Sequence, residues 1–301
     1  MAEHQRKSGF VAIIGRPNVG KSTLLNRLVG QKIAIMSDKP QTTRTRIRGI
    51  LTREEGQVVF LDTPGMHQPR HQLGQYMMEI AENSIREVDL VMCVTDASFA
   101  GAQKDEYVLD KIKEARVPSV LVLNKVDRVA DKSQLLRLID EYRAAYPFVD
   151  IIPISAKTGE QVDVLTKVIY EHLSEGPMYY PEDIVTDHPE RFIIAELIRE
   201  KVLLLTREEI PHSVAVVIEQ LETRDDRDVL YINALIYTER DSQKAILIGK
   251  NGDLLKKVGM LARHDIESIF GSKVFLELWI KVKKDWRNRE HLLRSFGYEQ
   301  E

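Results

Sequence analysis

The segment Gly15-Arg16-Pro17-Asn18-Val19-Gly20-Lys21-Ser22 constrains this chain more than any other, because of what flanks it. It follows directly on the apolar run Phe10 to Ile14 and leads into an amphipathic stretch from Lys21 to Val29. A strand, a glycine-rich turn and a helix in that order make a phosphate loop. The glycines let successive backbone N–H groups face phosphate oxygens, and the helix N-terminus adds the positive end of its dipole. Lys21 would neutralise β- and γ-phosphate charge, and Ser22 would offer its hydroxyl to magnesium. Gly15, Asn18, Val19, Gly20 and Thr23 complete the expected cradle.

Such a loop needs a sheet behind it, and the chain supplies one. Short apolar runs alternate with helical patterns from residue 9 to about 174, as in a mostly parallel sheet covered on both faces. Six strands are expected: Phe10 to Ile14, Ile47 to Thr52, Gln57 to Leu61, Leu90 to Thr95, Ser119 to Leu123 and Asp150 to Ile154. Only Arg53 to Gly56 separate the second from the third, too little for a crossover, so that pair should be an antiparallel hairpin. Residues 1–174 therefore read as an α/β P-loop domain. Residues 175–190, with Gly176, Pro177, Pro181 and Pro189, read as a linker. Residues 191–301 change rhythm to helix, two strands, helices and a strand, an α+β domain.

Further loops fall where strands end, on the edge that carries the phosphate loop. Asp62-Thr63-Pro64-Gly65 follows the third strand; Asp62 could hold magnesium through water, and the Gly65 N–H could meet the γ-phosphate. Asn124-Lys125-Val126-Asp127 follows the fifth. A carboxylate at Asp127 can accept from guanine N1–H and the 2-amino group, donors that adenine lacks. A site built to bond one ligand rejects its analogue by roughly 10⁴-fold. Asn124 would brace that loop and Lys125 would lie over the base. Ser155, Ala156 and Lys157 follow the sixth strand, where the Ala156 N–H could reach guanine O6. Between phosphate loop and Asp62, the polar run Ser37 to Arg46 holds Thr42 and Thr43. Either hydroxyl could reach magnesium when GTP is bound; Thr43 is favoured. The order of the motifs spells a GTPase, with Lys21, Thr43 and Gly65 nearest the chemistry.

The rest of the composition limits partners and compartment. Lys and Arg number 43 against 46 Asp and Glu, so any polyanion surface must be local. The single cysteine, Cys93, allows no internal disulfide and fits a reducing compartment. No apolar run approaches the roughly 18 residues of a membrane span. A cytoplasmic monomer is expected, with peripheral association at the inner face of the cell membrane left open.

That local surface lies in the C-terminal domain. Ile246, Leu247, Ile248, Gly249, Lys250, Asn251, Gly252 sits between helical stretches, and two glycines around Lys250 and Asn251 would let a nucleic-acid backbone approach. Ile246 and Ile248 would line a base-binding groove. From Arg240 to Arg294 the sequence has 13 Lys and Arg against 7 acids, whereas residues 175–239 have 6 against 15. Lys250, Lys256, Lys257, Lys281, Lys283, Lys284, Arg287 and Arg289 are candidate phosphate contacts. Trp279 and Trp286 could stack bases, although the alternation around Trp279 reads as core. The element order resembles a KH domain of type II, whose groove takes about four single-stranded nucleotides. RNA, not DNA, is the expected ligand.

The four nucleotide-site motifs, the Gln41-Thr42-Thr43-Arg44 run and this C-terminal domain together resemble the Era family of GTPases across nearly the whole chain. The resemblance implies binding to the 3′ end of 16S ribosomal RNA and a role in assembling the small subunit. In related GTPases the asparagine corresponding to Asn18 ligates potassium, and the resemblance extends that expectation here. Where Ras-like enzymes place a glutamine that orients water, this chain has Met66, which cannot do so. Two other readings stand against the RNA-binding switch: a signalling or membrane-associated GTPase whose C-terminal domain binds protein, and a nucleotide-dependent scaffold that hardly hydrolyses GTP.

Overall fold

The computed structural model describes residues 6–69, 71–99, 101–224 and 229–298. The chain divides into two compact units: Met1–Ala34, Thr43–Pro69 and Met77–Asp187 form the first, and Ile35–Thr42, Arg70–Tyr76 and His188–Glu301 the second.

In the first unit the elements run β1 (Lys7–Ile14), α1 (Lys21–Val29), β2 (Ile47–Arg53), β3 (Gly56–Asp62), α2 (Gln72–Arg86, assigned to this unit from Met77 onward), β4 (Leu90–Asp96), α3 (Glu106–Ala115), β5 (Ser119–Asn124), α4 (Ser133–Ala145), β6 (Asp150–Pro153) and α5 (Val162–His172). The sheet order is β2-β3-β1-β4-β5-β6. β2 and β3 form the expected antiparallel hairpin, and the other pairings are parallel. Every residue of β3 and β5 is buried, as strands covered on both faces require. β1 starts at Lys7, earlier than its apolar run, because its backbone pairs with β3 from Lys7 opposite Gly56. Ladder hydrogen bonds extend a strand through polar residues that periodicity reads as loop.

The stretch expected to be a linker has its own partners. Gln57, fully buried in β3, accepts at Oε1 from the N–H groups of Tyr179 (2.8 Å) and Tyr180 (2.9 Å). On the edge strand, Ile50 N–H donates to the Val185 carbonyl (2.8 Å), and Arg48 pairs with Asp187 (2.8 Å). The Ile50 bond satisfies a main-chain donor that an open sheet edge would leave bare.

The second unit contains α6 (Glu190–Leu205), α7 (Ile210–Ser213), β7 (Ala215–Arg224), β8 (Val229–Thr238), α8 (Asp241–Ile248), α9 (Asp253–Phe270), β9 (Lys273–Val282) and α10 (Glu290–Ser295). β8 is the central strand, antiparallel to β7 and parallel to β9. Ile232, Ala234 and Ile236 of β8 meet Leu197 and Val202 of α6, Leu247 of α8, and Val258, Ala262 and Ile266 of α9 in one core. The two tryptophans correct the sequence reading. Trp279 is 59% exposed, because on β9 it takes the face opposite Ile280, which packs in the core. Trp286 is fully buried, stacks on Tyr298 and donates its indole N–H to the Ser213 carbonyl (2.8 Å). Periodicity missed α7 and α10, which are too short to show a helical repeat. No helix among the described residues is long and apolar enough to cross a membrane.

Candidate functional site

The phosphate loop leaves β1 in the middle of the sheet and is packed against its neighbours. Gly20 adopts φ 101°, and a Cβ there would lie 2.3 Å from Asn124 Nδ2. Glycine is what lets the loop turn into α1 beside the base-side loop. Lys21 is buried and its Nζ donates to the carbonyls of Gly15 (3.2 Å) and Arg16 (3.1 Å). Burial lowers its pKa to about 8, with Asp62 pulling the other way.

At the foot of α1, Ser22 Oγ donates to Asp62 Oδ2 (2.7 Å) and lies 2.9 Å from Thr43 Oγ1. Asp62 is fully buried, and burial pushes its carboxyl up to about 6 against the opposing effects of Lys21, Ser22 and Thr43. Its Oδ1 has no hydrogen-bond partner. Two hydroxyls and an unsatisfied buried carboxylate oxygen form the hard donor set that a magnesium ion takes. Thr42, the other candidate, turns its hydroxyl to the Lys39 carbonyl (2.6 Å).

After Asp62 the chain folds back on the phosphate loop. Met66 N–H donates to the Gly15 carbonyl (3.1 Å), and a Cβ on Gly65 would sit 2.7 Å from Pro17 Cα. Met66 itself is buried in the core with Ala12, Ile14 and Cys93, which leaves its thioether no part in orienting water. His67 turns Nδ1 to the Gly65 carbonyl at 2.9 Å.

The base-side loops are tied together by Asn124. Its Nδ2 donates to the Val19 carbonyl (2.8 Å), and its Oδ1 accepts from the Ala156 N–H (2.9 Å). Any contact of that amide with guanine O6 would thus be a shared one. Lys125, at φ 66°, extends Nζ to the Asn18 carbonyl (2.6 Å) and to Asp96 (2.7 Å). Asp127 is exposed at the end of this loop, and Ser155 Oγ donates to its Oδ1 (2.6 Å). Thr23 is half-buried on α1, and Lys157 is exposed with its carbonyl held by Arg27 (2.6 Å).

In the second unit, Gly249 to Gly252 form a tight turn between α8 and α9. A groove of about 510 Å³ opens beside it, lined by Gly252, Leu255, Lys256, Gly259, Met260 and Arg263 of α9 and by Val274, Phe275, Leu276 and Leu278 of β9. Of the sequence-derived candidates, Gly252 and Lys256 line the groove. Lys250, Asn251 and Lys257 are exposed at its turn end, and Lys283 and Lys284 are exposed beyond β9. Ile246 is 55% exposed and Ile248 packs against the core, so neither lines it.

The family model described as a 50S ribosome-binding GTPase matches residues 10–125, and one described as a KH domain matches residues 209–287. Among solved structures, a tyrosine-to-alanine variant of Era from Aquifex aeolicus bound to GDP·AlF4− is 44% identical, with 98% of this chain and 100% of that one covered and a TM-score of 0.95. This chain belongs to the Era family of GTPases. A second Era structure, in complex with MgGDPNP and nucleotides 1506–1542 of 16S ribosomal RNA, is 43% identical, with 98% and 100% covered and a TM-score of 0.95.

The sequence did not reveal several residues that brace the site of this Era-family GTPase. Arg27 on α1 reaches the carbonyls of Ala156 (3.2 Å) and Lys157 (2.6 Å), and Asp96 fixes the Lys125 ammonium. Arg16, within the phosphate loop, bonds through Nε to the buried Asp105. The only trace of Asp96 and Asp105 in the sequence is an acid just after an apolar strand or at the start of a helical pattern.

Proposed function

We propose that this Era-family GTPase is a cytoplasmic switch that hydrolyses GTP to GDP and phosphate and uses its KH domain to hold single-stranded RNA during small-subunit assembly. The observation that carries the nucleotide reading is Asp127. It is exposed at the end of the loop that Asn124 locks to the phosphate loop, with one oxygen fixed by Ser155, and so presents an acceptor pair to guanine. The choice of RNA is supported by the Era relative whose complex holds nucleotides 1506–1542 of 16S ribosomal RNA; the groove beside Gly252 and Lys256 suits such a strand.

In this reading the backbone of Gly15 to Ser22 encloses the α- and β-phosphates, and Lys21 moves from the Gly15 and Arg16 carbonyls to the β- and γ-oxygens. Ser22, Thr43 and, through water, Asp62 would hold magnesium, which when bound would neutralise charge on the β- and γ-phosphates. Gly65 N–H meets a γ-phosphate oxygen and holds the transferring group in line, while the charge that develops as the bond lengthens falls on the β-γ bridging oxygen. Water attacks the γ-phosphorus, the bond to the β-γ bridging oxygen breaks, GDP leaves with that oxygen, and the water's proton passes to an oxygen of the departing phosphate. Thr43 and Gly65 lose their ligand when phosphate departs, which is how the two loops report hydrolysis.

The test is to replace Asp127 with Asn. The expected result is a change of preference from GTP to xanthosine triphosphate, since an amide donates where the carboxylate accepted. Unchanged preference for GTP would overturn the assignment. For the RNA arm, Gly249→Asp with Lys250→Asp should abolish binding to a single-stranded 3′-end oligonucleotide while hydrolysis continues. Retained affinity would point instead to a C-terminal domain that binds protein.

A further inference from the structure

Helix α6 buries three consecutive charged residues, Arg199, Glu200 and Lys201, at 1%, 6% and 8% exposure. Successive helical residues point about 100° apart, so the three fan across more than half of the helix circumference. Charged side chains are almost never this buried without dedicated partners. Two of them hold the segment Ile35–Thr42, which belongs to the same compact unit. Glu200 Oε1 accepts from the Met36 N–H (2.9 Å), and Arg199 Nη2 donates to the Thr42 carbonyl. Arg199 is itself fixed by Glu196, with Nε on one carboxylate oxygen (2.7 Å) and Nη2 on the other (2.6 Å). Lys201 bonds Glu200 (2.8 Å) and Asp265 of α9 (2.5 Å), which stiffens the turn that carries both contacts.

The Arg199 bond ends one residue before Thr43. We propose that Arg199 is a positioning residue for GTP hydrolysis: by holding the Thr42 carbonyl it sets where Thr43 presents its hydroxyl. Thr43 has Oγ1 2.9 Å from Ser22 Oγ, whereas the Thr42 side chain turns away to Lys39. The segment Ile35–Thr42 is thus fastened at its backbone by α6, and the next residue in the chain is Thr43. The inference rests on the role given above to Thr43. It adds that the fixing group lies in the sequence C-terminal to the P-loop domain, on an arginine whose planar fork serves a carboxylate and a carbonyl at once. A lysine offers a compact ammonium in place of that fork.

The test uses the full-length protein carrying Arg199→Lys, and separately Arg199→Met with Glu196→Met, which removes both charges and strands neither. Three quantities are measured with magnesium present: single-turnover hydrolysis, affinity for a fluorescent non-hydrolysable GTP analogue, and affinity for fluorescent GDP. Hydrolysis should fall about tenfold, the effect of losing one hydrogen bond to a charged group. Analogue affinity should fall with it, and GDP affinity should stay within about twofold because GDP offers nothing for Thr43 to complete. Hydrolysis as fast as that of the parent, an equal loss of GDP affinity, or unfolding of both variants would overturn the proposal; the last would assign Arg199 to stability alone. Thr43→Ala runs beside them. If it leaves hydrolysis intact, the reading of Thr43 fails and the inference with it; if it is impaired while the Arg199 variants are not, only the inference fails.

Discussion

Arg16 in the phosphate loop donates from Nε to Oδ1 of Asp105, a carboxylate 2% exposed that also accepts from Thr95 Oγ1 (2.7 Å) and the Tyr142 hydroxyl. Burial, together with the Asp105 charge, pushes the Tyr142 hydroxyl far above its usual range, so it stays a donor. Asp105→Ala leaves a guanidinium and two hydroxyls short of their acceptor. Removing one partner of a buried ion pair costs about 3 to 5 kcal/mol, and urea unfolding of the Ala variant should show a loss near the lower figure, since Arg16 is partly exposed. Asp105→Asn keeps an acceptor and should lose about half as much. A loss of unfolding free energy below roughly 1 kcal/mol for Ala would show that the network is not held by its charge.

Gly65 makes a second, sharper demand. A methyl group at this position would meet Pro17 at backbone atoms, Cα and N at 2.7 Å, which cannot rotate aside. Gly65→Ala must therefore lift the loop off the phosphate loop and withdraw the N–H proposed for the γ-phosphate. Loss of one such donor costs roughly 10² to 10³ in rate, so kcat for GTP should drop by about a hundredfold. GDP affinity, read by fluorescent GDP displacement, should hardly change. Parallel losses in both would mean that the phosphate loop itself had deformed.

How far the sequence carried this reading differs between its parts. β5 and the loop at Asp127 were legible, because a six-residue strand buried at every position leaves a continuous apolar run and ends on a motif of fixed spacing. The start of β1 was not, because Lys7 to Gly9 are held by main-chain pairing to β3. Arg199, Glu200 and Lys201 look like any solvated helical face; what buries them is tertiary, and no local pattern carries it. The tryptophans failed for a related reason. Trp279 has the right alternation for a core residue but occupies the other face of β9, and the partners of Trp286, Ser213 and Tyr298, are distant or beyond any repeat. Short-range periodicity sees which faces are apolar, but not which face of a sheet is covered.

Met66 cannot orient water, and its burial in the core removes it further from the reaction. Hydrolysis must then rely on positioning, magnesium and further positive charge at the β-γ bridge, for which the family resemblance points to potassium at Asn18. Asn18 lies exposed in the phosphate loop at φ 64°, with its carbonyl held by Lys125 (2.6 Å). Hydrolysis in potassium buffer should exceed that in sodium buffer at equal ionic strength, and Asn18→Ala should erase the difference while GDP binding persists. Equal rates in the two buffers for the parent protein would remove the ion from the mechanism.

Lys256 offers the cleanest test of the groove, because it lines the space beside Gly252 while no acidic side chain is among the lining residues. An ammonium there can meet a phosphate without first breaking an ion pair. Each phosphate neutralised on a single strand contributes about 0.7 to the slope of log affinity against log salt. Lys256→Ala should lower that slope by about this amount and weaken binding to all single-stranded RNA sequences alike, since a phosphate contact carries no base information. Met260 and Phe275 lie in the same groove and can meet base faces, so their replacement by Ala should change preference among sequences and leave the slope unaltered. Anisotropy titrations of a labelled oligonucleotide from about 50 to 200 mM salt resolve both effects. An unchanged slope for Lys256→Ala would place the RNA backbone elsewhere on the domain.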